Sequence, residues 1–90
     1  MIQVLFFATM RDYTQEKETT AEGASSVEEL LRLLCRRYGP ELKEEVFDGE
    51  ALSDRVIIMV NGRHIAHTGG LGTPLRDGDT VAIFPIIGGG

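Results

Sequence analysis

Two long apolar stretches lie at opposite ends of this chain. Val4 to Ala8 and Val81 to Ile87 are long uninterrupted apolar runs, and each is apolar at odd and even positions alike. A strand with two apolar faces needs cover on both, which an edge position cannot give. Two such strands are best covered side by side at the centre of one sheet. Ninety residues leave room for one core. The expectation is therefore a single domain over residues 1–90, with a folded body at 1–85 and an extended C-terminal tail at 86–90.

Between the ends the pattern changes period twice. Met1 to Met10 reads as a strand with Ile2, Val4 and Phe6 on one face and Leu5 and Phe7 on the other. Arg11 to Gln15 is polar and turn-like, and Glu16 to Glu22 suits an exposed second strand of a hairpin. Val27, Leu30, Leu31, Leu34, Cys35 and Tyr38 then recur at helical spacing. Ser26 with Glu29 predicts a capping box at the start of that helix. Gly39 is expected in the left-handed conformation at its end, and Pro40 cannot continue it.

Glu41 to Phe47 predicts a short second helix or turn before the Asp48-Gly49 break. Arg55 to Val60 is a strand, Asn61-Gly62 a tight hairpin turn, and Ile65 belongs to a short returning strand. His67 to Thr73 reads as loop, and Thr80 to Pro85 as the last strand. A mixed sheet of about five strands packed on one main helix is the α+β arrangement called the β-grasp.

Composition excludes several classes of function. The chain is 42% apolar and 26% charged, the mix of an ordinary soluble domain. No apolar run is long enough to span a bilayer, and Met1-Ile2-Gln3-Val4 lacks the charged start of a signal sequence, so a cytoplasmic protein is expected. The net charge of −5 argues against nucleic acid, whose binding rests on clustered cations. Arg32, Arg36 and Arg37 do cluster, but Glu28, Glu29 and Glu41 dilute them.

The remaining reactive side chains have ordinary explanations. Cys35 is either a sulfur relay or, since it lies on the apolar helical stripe, a small core residue. His64 and His67 lack a helix to bring them together as ligands, and no metal site is expected. Asp77 and Asp79 flank Gly78 as turn residues rather than as an acid and base. Gly69-Gly70-Leu71-Gly72 resembles a phosphate loop but follows no well-defined strand and opens no helix.

The end of the chain is different. Gly88, Gly89 and Gly90 follow the last apolar strand with no spacer. Three glycines weaken any helix or strand they join, yet an arm without side chains can thread a narrow channel. Pro85, which has no N–H, marks the point where fold becomes arm. Taken alone, terminal glycines also fit a frayed terminus.

Met1 to Ala8, Val27-Glu28-Glu29-Leu30, Val60-Asn61-Gly62, and Pro74 to Pro85 running into Gly89-Gly90 together resemble the MoaD/ThiS family of ubiquitin-like sulfur carriers, with the small subunit of molybdopterin synthase as the nearest member. Gly88 departs from the small non-glycine residue frequent before the final pair. The loop Ala66 to Thr73 resembles members that serve cysteine synthesis or archaeal protein modification.

The resemblance implies a co-substrate more than an enzyme. Gly90 would be adenylated by a ubiquitin-activating-type enzyme (MoeB/ThiF-like) using ATP and Mg²⁺, and then converted to a thiocarboxylate, with no cofactor bound to the carrier itself. Sulfur would pass to an accepting enzyme, in the leading case the large subunit of molybdopterin synthase (MoaE-like) in molybdenum or tungsten cofactor synthesis. Cysteine synthesis, thiamine thiazole synthesis and ubiquitin-like protein modification are the alternatives, and a β-grasp binding module with an inert tail is another. Phe7 and Phe84 are the candidates for an apolar docking patch, with Pro85, Ile86 and Ile87 at the root of the arm. The competing reading places both phenylalanines in the core.

Overall fold

The computed structural model describes residues 1–86. Strand β1 (Ile2–Phe6) is followed by a short helix α1 (Met10–Thr14) and strand β2 (Glu18–Ala21). The main helix α2 (Val27–Tyr38) runs almost directly into α3 (Pro40–Val46). Then come β3 (Phe47–Asp48), β4 (Ala51–Leu52), β5 (Val56–Val60), β6 (Arg63–His64) and β7 (Thr80–Pro85). The last two are linked by 3₁₀ turns at Ile65–His67 and Gly70–Gly72.

Five strands form one mixed sheet in the order β2-β1-β7-β5-β6. The two terminal strands are parallel neighbours, with Val4 opposite Val81 and Phe6 opposite Ile83, as their two-sided apolar character requires. β2 pairs antiparallel with β1 through Ile2 and Ala21, and β5 pairs antiparallel with β7 through Ile58 and Ile83. This is the β-grasp arrangement of a ubiquitin-like fold.

Because side chains alternate across a strand, one face of the sheet carries Ile2, Val4, Phe6, Val56, Ile58, Val60, Val81 and Ile83. All are buried in one cluster with Val27, Leu30, Leu31 and Leu34 of α2. Met10, Leu42, Val46 and Phe47 extend that core to the side. Cys35 belongs to it and is 8% exposed. Burial pushes its thiol pKa up, against the opposing pull of Lys43, Arg32 and Arg36, so it is a core residue and a poor relay.

Several local expectations are corrected. Arg11 to Gln15 is not merely a turn: Met10 is fully buried and roots a helical turn there, closed by Gln15 at φ 61°. Only half of the predicted capping box forms. The Ser26 hydroxyl accepts the Glu29 N–H at 3.2 Å, but the Glu29 carboxylate reaches Ser25, accepting its N–H at 2.7 Å and its hydroxyl at 2.8 Å. The Ser25 to Val27 segment is pinned against Thr73 to Leu75, which places Ser25 rather than Ser26 in front of that carboxylate.

Gly39 does not take the left-handed helical conformation. It sits at φ 109° and ψ −177°, a region open in practice to glycine alone. The chain can therefore start α3 at once with Pro40 at its first position. Ile65 is not on a returning strand either. It is buried at the start of a 3₁₀ turn, because β6 is only two residues long. The Asn61-Gly62 turn does form, with φ of 51° and 83°, the positive pair of a type I′ hairpin.

Candidate functional site: the outer face of the sheet and the root of the tail

No helix of the described residues covers the opposite face of the sheet. The same alternation that buries Val4 and Phe6 turns Leu5 and Phe7 of the β1 segment outward, with Ala82 and Phe84 of β7 and Ile57 and Met59 of β5. All six are half-buried. Register sets them in two rows: Leu5 beside Ala82, and Ala82 beside Met59, which faces His64. In the second row Phe84 lies opposite Ile57, and Phe7 stacks on Phe84 with ring centroids 4.4 Å apart and planes 11° from parallel.

The structure thus brings the two predicted phenylalanines together and leaves them half-open rather than in the core. Offset aromatic stacking fixes their orientation, so they present one flat apolar surface. Sequence reasoning missed Leu5, Ile57, Met59 and Ala82 as parts of this surface. The signal was available in β5, Val-Ile-Ile-Met-Val, which is apolar on both faces as the terminal strands are.

The chain leaves the sheet beside the phenylalanine pair. Pro85 is the last residue of β7 and lies opposite Val56. Ile86 is 46% exposed, while its N–H still donates to the Arg55 carbonyl at 2.8 Å. Ile87, Gly88, Gly89 and Gly90 lie outside the described residues. On the β1 side the Phe7 N–H donates to the Ile83 carbonyl at 3.1 Å, and the Arg11 Nε caps the Phe6 carbonyl at 2.8 Å.

The other reactive groups do not converge here. The His64 and His67 rings stand edge to face at 6.0 Å, and the His64 Nδ1 accepts the Ala66 N–H at 3.0 Å. Among the described residues, no three His, Cys, Asp or Glu side chains are grouped so as to hold a metal ion. Asp77 pairs with the N-terminal ammonium, and the Asp79 carboxylate accepts from Asn61 and from the Arg76 N–H. Gly70 to Gly72 form a 3₁₀ turn whose carbonyl at Gly70 accepts the Thr73 hydroxyl at 2.7 Å. No helix of the described residues is long and apolar enough to cross a membrane.

This ubiquitin-like fold has counterparts among known proteins. The chain is 33% identical to small archaeal modifier protein 3 of Haloferax volcanii over 91 residues, covering 99% of this chain and 98% of that one. Its structure matches the solution structure of small archaeal modifier protein 1 from Methanosarcina acetivorans with a TM-score of 0.86 and 32% identity, covering 99% and 95% of the two chains. It also matches a chain in the crystal structure of the Amycolatopsis orientalis BexX/CysO complex, with a TM-score of 0.87, 28% identity and all of both chains covered. The ThiS family model matches residues 4–90, and the chain belongs to that family of ubiquitin-like sulfur carriers.

Proposed function

We propose that this protein carries sulfur as a thiocarboxylate on Gly90 and delivers it to an enzyme docked on the outer face of its sheet. The observation that carries this reading is the extent of the family match, which runs through residue 90 and so takes in the terminal glycines. The open Phe7–Phe84 surface beside the root of the tail supports it.

A carboxylate resists attack because oxide is a poor leaving group. A ubiquitin-activating-type partner with ATP and Mg²⁺ removes that obstacle. The Gly90 carboxylate oxygen attacks the α-phosphorus, pyrophosphate leaves, and an acyl-adenylate forms. A sulfur nucleophile then adds at the carbonyl carbon and AMP departs with the electron pair of the C–O bond, leaving a C–S bond in its place. The carrier supplies the reactive group, and the partners supply positioning and charge stabilisation.

Docking on Phe7, Phe84, Pro85, Ile86 and Ile87 would supply the affinity that a glycine arm lacks, since interface energy concentrates in a few well-packed aromatic and apolar anchors. The accepting enzyme in the leading reading is a molybdopterin synthase large subunit. A second reading, transfer in another route or attachment to protein lysines, is favoured by the full-length likeness to small archaeal modifier proteins.

Intact-mass measurement on the protein isolated from its native cell tests the proposal. An increment of sulfur for oxygen, localised to Gly90, is the expected result. Branched glycine remnants on lysines of other proteins, with no thiocarboxylate pool, would replace the carrier by a modifier. Sulfur transfer from the purified thiocarboxylate to a pterin precursor by the large subunit distinguishes the leading acceptor from the others.

A further inference from the structure

The backbone bonds that hold β7 run out unevenly. On the β1 side the last of them is the Phe7 N–H to the Ile83 carbonyl. Pro85 has no donor with which to extend that ladder, and the Phe7 carbonyl is occupied by the Met10 N–H at 3.0 Å. On the β5 side the ladder continues to Ile86, whose N–H reaches the Arg55 carbonyl at 2.8 Å. That carbonyl is the last tether on the described chain.

Arg55 is itself clamped from two directions. Its guanidinium Nη2 donates to the Glu44 carbonyl at 2.5 Å and to Asp48 Oδ1 at 3.1 Å, and its Nε lies 3.4 Å from Glu45 Oε1. Its own N–H donates to the Ser53 hydroxyl oxygen at 3.2 Å. Ser53 is buried, donates its hydroxyl to the Glu45 carbonyl at 2.5 Å, and donates its N–H to the Val46 carbonyl at 2.8 Å. The tether for Ile86 is thereby fastened to the end of α3 and to β3. An exposed Arg–Asp pair stabilises a fold very little, whereas a planar fork held by several acceptors fixes orientation. The arrangement suits positioning better than stability.

We propose that Arg55 is a positioning residue for the C-terminal tail: by holding the Ile86 N–H in a fixed place, it sets the direction in which the chain departs toward the partner's nucleotide site. This rests on the sulfur-carrier reading above. When only a fraction of departures is productive, apparent affinity falls by that fraction while the bound complex reacts as before.

The test uses the full chain as wild type, Arg55→Ala and Arg55→Lys. Amide hydrogen exchange is read at Ile86, Ile83 and Val81, and ATP–pyrophosphate exchange is measured with a ubiquitin-activating-type enzyme. Arg55→Ala is expected to speed exchange at Ile86 about tenfold and to leave Ile83 and Val81 unchanged. It should raise KM for the carrier about fivefold, with kcat retained. Lysine, whose one nitrogen cannot fill both the Nη2 place beside Asp48 and the Glu44 carbonyl and the Nε place beside Glu45, should recover only part of the loss.

Unchanged exchange at Ile86, or a fall in kcat with KM unchanged, overturns the proposal. Should Arg55→Ala loosen the whole sheet, seen as faster exchange at Val81 and Ile83, Asp48→Ala carries the same test with residue 55 intact. If the wild-type chain is not adenylated, the sulfur-carrier reading falls, and exchange at Ile86 still decides whether Arg55 holds the tail.

Discussion

Thr80 enters β7 through a closed set of hydrogen bonds, whereas Pro85 leaves it with hardly any. At the entrance, Asn61 accepts the Thr80 N–H on its side-chain oxygen at 2.9 Å and donates its own N–H to the Thr80 carbonyl at 2.8 Å. Its amide also donates to Asp79 at 2.9 Å, and Asp79 accepts the Arg76 N–H at 2.8 Å. The Asp79 carbonyl and the Met1 carbonyl take the N–H groups of Gln3 and Gly78. At the exit the Ile86 N–H bond to Arg55 is the last among the described residues. The same strand is anchored by polar groups where it begins and ends beside apolar surface. An element built in this way can surrender its last residues to another protein without loosening its first ones.

The largest test of that contrast removes the end of the chain altogether. Deleting Gly89 and Gly90 takes away none of the hydrogen bonds described for residues 1–86, so stability should change by less than about 0.5 kcal/mol in a denaturant titration. Adenylation, followed as ATP–pyrophosphate exchange, should disappear. A truncated chain that is still activated would show that the terminal glycines are not the working end.

Neighbouring residues of β7 give the next test, because they face opposite ways. Ile83 is fully buried, and Ile83→Ala should cost about 2–5 kcal/mol in a urea titration. Phe84→Ala removes a half-buried ring and should cost only about 1 kcal/mol, yet weaken docking of an accepting enzyme about tenfold or more in a calorimetric titration. Equal losses of stability would mean that Phe84 serves the fold and not a partner.

At the entrance, Asn61→Ala sets an alanine at φ 51° and removes two side-chain hydrogen bonds, to Asp79 and from the Thr80 N–H. A cost of about 1–2 kcal/mol is expected from left-handed strain and lost hydrogen bonds. Asn61→Gly, which relieves the strain and keeps the deletion, should recover part of it. The activation rate of the distant tail should not change with either variant.

The parts of this contrast that the sequence disclosed are those with sustained periodicity. β1, α2 and β7 declare themselves because their apolar positions repeat over several turns or pleats, and Asn61-Gly62 does so because few residues tolerate two successive positive φ angles. The elements that escaped are short and owe their form to tertiary support. α1 exists because Met10 is drawn into the core, and β3 and β4 are two residues each, held by one another across Phe47 and Leu52. Such pieces leave no periodic trace.

Much the same divides the candidate site. Phe7 and Phe84 could be named from the resemblance of the chain's two ends, and their stacking follows from β1 and β7 being neighbours. The role given to Arg55 was invisible, because its partners at Glu44, Glu45, Asp48 and Ser53 come together only once α3 and the β3–β4 hairpin are in place. A charged residue at the edge of an apolar run reads as an ordinary strand boundary until its carbonyl is seen to hold the tail.

The smallest expected effect isolates charge at the anchored end. The Asn61 amide, and after it the Arg76 N–H, hold the Asp79 carboxyl below its usual value of 3.8. A depressed folded-state pKa contributes stability above the unfolded value and loses it as the pH falls through the folded one. The group is half-buried at the surface and still solvent-screened, so the contribution is modest. Asp79→Asn should therefore lower the Tm slightly at neutral pH, and the difference from wild type should shrink as melts are repeated at decreasing pH through the carboxylate range. A difference that stays constant with pH would place the role of Asp79 in turn geometry, with Asn serving as a weaker acceptor. In either outcome exchange at Ile86 should be unaffected, because the two ends of β7 are held by separate sets of groups.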